Sequence, residues 1–261
     1  MAPITDTLCY AWQSRRAWWF TATARTRARF ARTLFGSFWL GLSNLLSIAA
    51  LAVVYGIVFK VESFSTYVVF LGLGLTVWNG ISLSLSSSPT LFEHNSNHLH
   101  NTNINPIFYA LEEWSFLVQT FLQSFILIIL ALSLIQHSLI RNFLLLSWLP
   151  LINLFAFFFW APLIVCLLGA RYRDLYQLVP IVLQLVFLLS PILYEKERLG
   201  PLMWTATFNP LYQILSSLRD GLISGQIQWV PVLVGLLINI VGFILSLWLL
   251  EKERRHLPFL V

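Results

Sequence analysis

Apolar residues run along this chain in long uncharged blocks separated by short polar or charged breaks. The first block, 36–59, stops at Lys60, Glu62 and Ser63. The second, 67–88, carries Gly72, Gly74 and Gly80, then a serine-rich tail that ends at Pro89. Further blocks cover 114–135, 145–168, 175–194 and 229–250. Twenty apolar residues at about 1.5 Å rise span roughly 30 Å, the thickness of a bilayer's hydrocarbon core. The pattern predicts an all-α polytopic membrane protein with six transmembrane helices. Its tightest join is at Gly169–Asp174, where Arg171, Arg173 and Asp174 separate two blocks and predict a hairpin with positive charge at the bend.

Composition sharpens the class. Of 261 residues, 58% are hydrophobic and only 10% charged, too few to wet the surface of a soluble domain of this size. The formal net charge of +5 comes from Arg residues flanking apolar blocks, so an anionic membrane face is the expected partner and nucleic acid is not. Cys9 and Cys166 are far apart and imply neither a disulfide nor a metal framework. No short basic leader precedes the first block, so the spans themselves are expected to direct insertion. With both ends inside, eleven of the sixteen Lys and Arg lie in inner segments; Lys60, Arg141, Lys196, Arg198 and Arg219 lie outside. That asymmetry predicts cytoplasmic termini.

The breaks hold the candidate chemistry. Within the cytoplasmic N-terminal segment 1–35, residues 10–35 predict an amphipathic helix on the membrane surface. Arg25, Arg29 and Arg32 share one face; Trp19, Phe20, Phe30 and Leu34 lie opposite, and Arg27 snorkels from the apolar side. The helix either anchors the terminus or offers Arg25, Arg29 and Arg32 to a lipid phosphate. The most polar stretch is 91–113, with Glu93, His94, Asn95, His98 and His100. His94 and His98, four apart, have the spacing of metal ligands, but no cysteine or helix-borne catalytic Glu joins them, which favours a cytoplasmic contact surface. Gln184 is the amide in the middle of the fifth block, and a hydrogen bond across a helix interface is its expected role. Between 195 and 225, Gly200-Pro201 and Asn209-Pro210 break the apolar pattern into pieces of ten residues or fewer, too short to cross, predicting a re-entrant or interfacial pair on the outer side. Gly221 and Gly225 read as turn and cap, and a charged tail, 251–261, ends the chain.

No GxxxxGK[ST], HExxH or GxSxG occurs, and no carboxylate pair lies within a span. Acidic residues fall in loops and ends, which argues against a proton relay at membrane depth. The chain therefore carries no expected catalytic residue, metal or cofactor of its own. A permease driven by a partner fits best; a membrane-embedded transferase using Glu93, His94 or His98 is the alternative.

Four segments resemble, in order, motifs of the ABC-2 family of transporter membrane subunits. The branch concerned exports polysaccharides and polyol phosphates such as O-antigen, capsule and teichoic acid. The run Arg29–Trp39 is similar to the family's basic, aromatic entry into the first span, with Ser37 where Pro is usual. Arg173-Asp174 resembles its RD pair, Ser190-Pro191-Ile192-Leu193-Tyr194 its SPI-Y segment, and Asn209-Pro210 followed by Arg219 its NP…R segment. The resemblance implies a homodimer bound to two copies of a separate ABC ATPase, which holds ATP and Mg. A lipid-linked glycan would cross the bacterial cytoplasmic membrane, with a lipid or drug as the alternative cargo. It implies ATPase coupling through Glu93, His94, Asn95, His98, Arg171, Arg173 and Asp174. An outer gate is implied at Ser190, Pro191, Tyr194, Asn209, Pro210 and Arg219. The 15% aromatic content would offer such a glycan a sliding surface, and Arg25, Arg29 and Arg32 would meet its lipid phosphate bidentately.

Overall fold

A segment in hydrocarbon has no water to satisfy its backbone, so each long apolar run closes its hydrogen bonds internally as a helix. The computed structural model describes residues 2–34, 36, 38–58, 60–96, 104–254 and 256–260, and among these there is no strand. Two helices at the N-terminus, α1 (Ala2–Gln13) and α2 (Arg15–Phe30), lead to α3 (Phe38–Val58) and α4 (Phe64–Ser86). A 3-10 turn at Ser88–Thr90 passes into α5 (Leu91–His94). Then come α6 (Ile107–Ser133), α7 (Ser138–Leu146), α8 (Trp148–Arg171) and α9 (Leu175–Leu189). A 3-10 segment, Lys196–Leu202, precedes α10 (Met203–Phe208), α11 (Pro210–Ser224), α12 (Trp229–Glu253) and α13 (Leu257–Leu260).

Five of the described helices are long and apolar enough to cross a membrane: α3, α4 with its extension to His94, α6, α8 and α12. The fifth block departs from expectation. Its helix stops at Leu189 rather than continuing to Tyr194, and fifteen residues rise only about 22 Å. The cause is Pro191. It disfavours helical backbone at the preceding residue, and Ser190 turns extended at φ −95°, ψ 135°.

Helix α6 is the centre of the bundle, touching α2, α3, α4, α7 and α8, while α8 and α12 pack side by side. Phe121 stacks on Phe125 at 5.1 Å between ring centroids and meets Phe158 edge-on at 5.5 Å. The α8–α12 seam is fastened by polar groups. Asn239 donates to the Asn153 carbonyl at 2.9 Å and accepts from Trp160 Nε1 at 2.8 Å, and Asn153 donates to the Val232 carbonyl at 2.9 Å. In contrast, α3 buries only Gly41, Ile48 and Ala52, and α9 only Leu183.

Three further expectations need correction. The N-terminal segment is a bent pair, α1 and α2, rather than one surface helix, and α2 docks on α6. Helix α2 ends at Phe30, so Arg32 lies in the turn beyond it. Residues 107–113 belong to α6, which puts Glu113 inside a membrane-length helix and 6% exposed, rather than in a polar loop. The piece after Asn209 is a fifteen-residue helix, because Asn209 caps it and Pro210 sits at its first turn, where a missing N–H costs nothing.

Candidate functional site

At one end of the bundle the N-terminal helices, the 88–94 elbow, the 171–174 bend and the tail gather. Thr7 donates a hydrogen bond to Glu251 and accepts one from Asn105 at 3.4 Å; Arg171 pairs with Glu253 at 3.6 Å. The elbow is held against α8 by backbone proximity. A Cβ placed on Gly169 would lie 2.7 Å from the Pro89 carbonyl oxygen and 2.8 Å from its Cα, so only glycine admits this approach. Below it, Leu91 and Phe92 pack with Leu163, Cys166 and Leu167 in a buried apolar cluster. Across the bend, Glu93 lies beside the Tyr176 hydroxyl.

The structure thus joins Glu93 to the Arg171–Asp174 bend, although they are some eighty residues apart in sequence. Arg171, Arg173 and Asp174 are exposed around it. His94 and Asn95 line a polar cleft of about 360 Å³ beside Ser87, Thr90 and Glu112. His98 and His100 lie outside the described residues, and no group of three potential metal ligands occurs among the described ones.

Arg25 and Glu113 line the same cleft and pair with each other there. Arg25 Nη1 sits 2.6 Å from Glu113 Oε2, and the guanidinium lies 4.2 Å above the Phe116 ring. Arg29 reaches the same ring from 5.9 Å. The Arg25 side chain is 47% exposed and the Glu113 side chain 8%, so the pair is chiefly what makes burial of the Glu113 carboxylate tolerable. Of the three arginines, Arg25 pairs with an internal carboxylate and Arg32 lies beyond the end of α2.

At the opposite end, the broken segment closes around one buried charge. Arg219, 2% exposed, donates from Nη1 to the Pro191 carbonyl at 2.9 Å, from Nε to Asp220 at 2.7 Å, and from Nη2 to the Tyr212 hydroxyl at 3.3 Å. Its guanidinium also covers the Phe70 ring at 4.0 Å. A planar fork with five donors satisfies these directions together, which an ammonium cannot. Burial pushes the Tyr212 phenol up, partly offset by the Arg219 charge, so it stays neutral.

Asn209 accepts from the backbone N–H groups of Leu211 and Tyr212 and donates to Ser190 Oγ at 2.8 Å. Tyr194 donates to the Leu188 carbonyl at 2.9 Å, and Tyr67 of α4 donates to the Leu193 carbonyl at 2.8 Å. The unwound 190–194 backbone is therefore held from α4, α9 and α11 at once. Ser190, Pro191, Tyr194, Asn209, Pro210 and Arg219 all belong to this one knot. Sequence reading missed Tyr67 and Phe70, which look like ordinary span aromatics. A cleft of about 550 Å³ adjoins the knot, lined by Lys60, Glu62, Tyr67, Phe70, Tyr194 and Arg198.

Gln184 does not bridge a helix interface. It is exposed and faces a groove between α3, α4 and α9.

Known proteins resemble the chain along most of its length. Residues 19–223 match the ABC-2 type transporter family. One O-antigen export system permease protein RfbA from Klebsiella pneumoniae is 24% identical over 230 residues, covering 83% of this chain and 85% of the relative. A second protein of the same description and organism is 26% identical over 231 residues, covering 85% and 84%. With a match spanning most of α2, the elbow, the bend and the buried-arginine knot alike, this chain belongs to the ABC-2 type transporter family, as a multi-pass membrane permease.

Proposed function

We propose that this permease moves a lipid-linked polysaccharide of the O-antigen kind out of the bacterial cytoplasm, in a homodimer driven by two copies of a separate ABC ATPase. The chain itself holds neither ATP nor Mg; both belong to the partner. The reading rests chiefly on the clasp between the 88–94 elbow and the 171–174 bend. Pro89 against Gly169 and Glu93 against Tyr176 make two distant loops one mechanical unit at the Arg-rich end. A partner gripping Arg171, Arg173, Asp174, Glu93, His94 and Asn95 would push on α4, α8 and α9 together. The excess of Lys and Arg at this end supports a cytoplasmic orientation, with both termini inside. The names of the two relatives support the glycan as cargo.

Arg25 serves in this reading to hold α2 on α6, and Arg29 and Arg32 remain to meet a lipid phosphate. The Arg219 knot would act as the outer gate. Its residues hold an unwound turn whose release needs no helix to be broken.

The test has two parts. The tagged chain, purified in mild detergent, should bring down an ATP-hydrolysing subunit, and Asp174→Arg with Glu93→Arg should abolish that association. Deleting the chain should remove long glycan from the cell surface. Normal surface glycan in the deletion strain would overturn the cargo assignment. A chain that transports with no ATPase attached would overturn the whole reading. A lipid or drug cargo would instead leave surface glycan normal and change lipid composition or drug tolerance.

A further inference from the structure

Two grooves of about 360 and 560 Å³ meet along α4, the first between α3, α4 and α6 and the second between α3, α4 and α9, and they share Asn79, Ser82 and Ser86. Their lining is unusual for membrane-length helices. Asn79 donates to Asn44 Oδ1 at 3.1 Å, and Asn44 donates to Ser124 Oγ of α6 at 2.9 Å. This leaves the Asn79 carbonyl oxygen, one of its N–H groups and the Gln184 amide directed at the groove. Asn79, Ser86 and Gln184 are all exposed. No Asp, Glu, Lys, Arg or His lines either groove.

Amides left against acyl chains would cost several kcal/mol apiece, so this surface is built to face hydroxyl groups or water. The absence of charge in the lining gives an anionic phosphate nothing to pair with. Amide and hydroxyl side chains offer donors and acceptors in mixture, which matches a sugar hydroxyl, itself both donor and acceptor.

We propose that the Asn44–Asn79 amide pair, with Ser82, Ser86 and Gln184, is the subsite over which the neutral, polyhydroxylated part of the cargo passes. The lipid phosphate is handled elsewhere. This rests on the glycan reading above and sharpens it. The cargo would slide on amides and hydroxyls, with Trp78 and Phe187 also in the lining, rather than on a mainly aromatic face.

The experiment uses the whole transporter in cells. Gln184→Leu with Ser86→Leu changes two groove side chains that bridge no helices, since Ser86 bonds only its own helix. The double variant should insert at normal level and keep its ATPase, yet lower surface glycan at least fivefold. Gln184→Asn with Ser86→Thr should restore it. In a Cys9→Ser background, whose remaining Cys166 is fully buried, Asn79→Cys should react with a membrane-impermeant cationic thiol reagent at least tenfold faster than Val53→Cys on the opposite side of α3. Wild-type glycan in the leucine variant, or an Asn79→Cys no more reactive than Val53→Cys, overturns the subsite. The export reading falls separately, on the deletion strain alone.

Discussion

Replacing Gly169 by alanine adds one methyl where the structure has no room. The new Cβ would stand 2.7, 2.8 and 3.1 Å from the oxygen, Cα and carbonyl carbon of Pro89. All three are backbone atoms, so no side chain can swing away; either α8 or the 88–94 elbow must move by roughly half an ångström or more. Overpacking of this kind costs about 1–3 kcal/mol. Alanine regains about 0.5–1 kcal/mol as the better helix residue, leaving a net loss of about 0–2.5 kcal/mol.

That is small against the stability of a bundle but large for one contact, and it falls on the clasp. Gly169→Ala should therefore insert and accumulate normally, melt a few degrees lower in detergent, and export glycan many-fold less. ATPase binding should weaken, or ATP hydrolysis should proceed uncoupled from export. Gly242→Ala is the control, since its Cβ would run into the Trp160 ring, in the α8–α12 seam away from the elbow. It should lower stability at least as much while sparing coupling to the ATPase. If Gly169→Ala exported normally, or if both variants lost export in proportion to their melting temperatures, the clasp would be packing and nothing more.

Other outcomes follow from the buried charges and amides. Arg25→Gln strands the Glu113 carboxylate and should cost about 1–3 kcal/mol, whereas Arg25→Gln with Glu113→Gln should recover most of it in thermal melts; an additive double mutant would refute the pairing. Arg219→Lys keeps the charge but loses the fork, and should make the 195–208 segment readily cleaved by external protease, nearly as much as Arg219→Met. Equal protease resistance of Arg219→Lys and wild type would show that charge alone suffices. Asn239→Leu removes the Trp160 and Asn153 bonds across α8 and α12, and should cost about 1–2 kcal/mol in unfolding without altering cargo preference.

Much of the architecture follows from one-dimensional properties. A run of uncharged apolar residues has one way to bury its backbone in lipid, so the blocks at 36–59, 67–88, 114–135, 145–168 and 229–250 announced their helices directly. Gly225 as a cap, with φ +69°, and Asn209-Pro210 as a helix start are equally local. The fifth block misled because apolarity measures how far a segment prefers lipid, whereas Pro191 decides how far it stays helical. Glu113 misled for the opposite reason: a carboxylate looks like a loop residue until its partner is known, and Arg25 is eighty-eight positions away.

What the sequence by itself determined was therefore the class, the positions of most spans, their breaks and the Arg-rich end, since solvation and backbone chemistry act on each segment alone. Which polar groups face one another was decided only in three dimensions. The pairing of Arg25 with Glu113, of Pro89 with Gly169, of Arg219 with Pro191 and of Asn44 with Asn79 depends on helix azimuth and depth. Those are set by how side chains of several helices interlock, and no single stretch of chain carries that information.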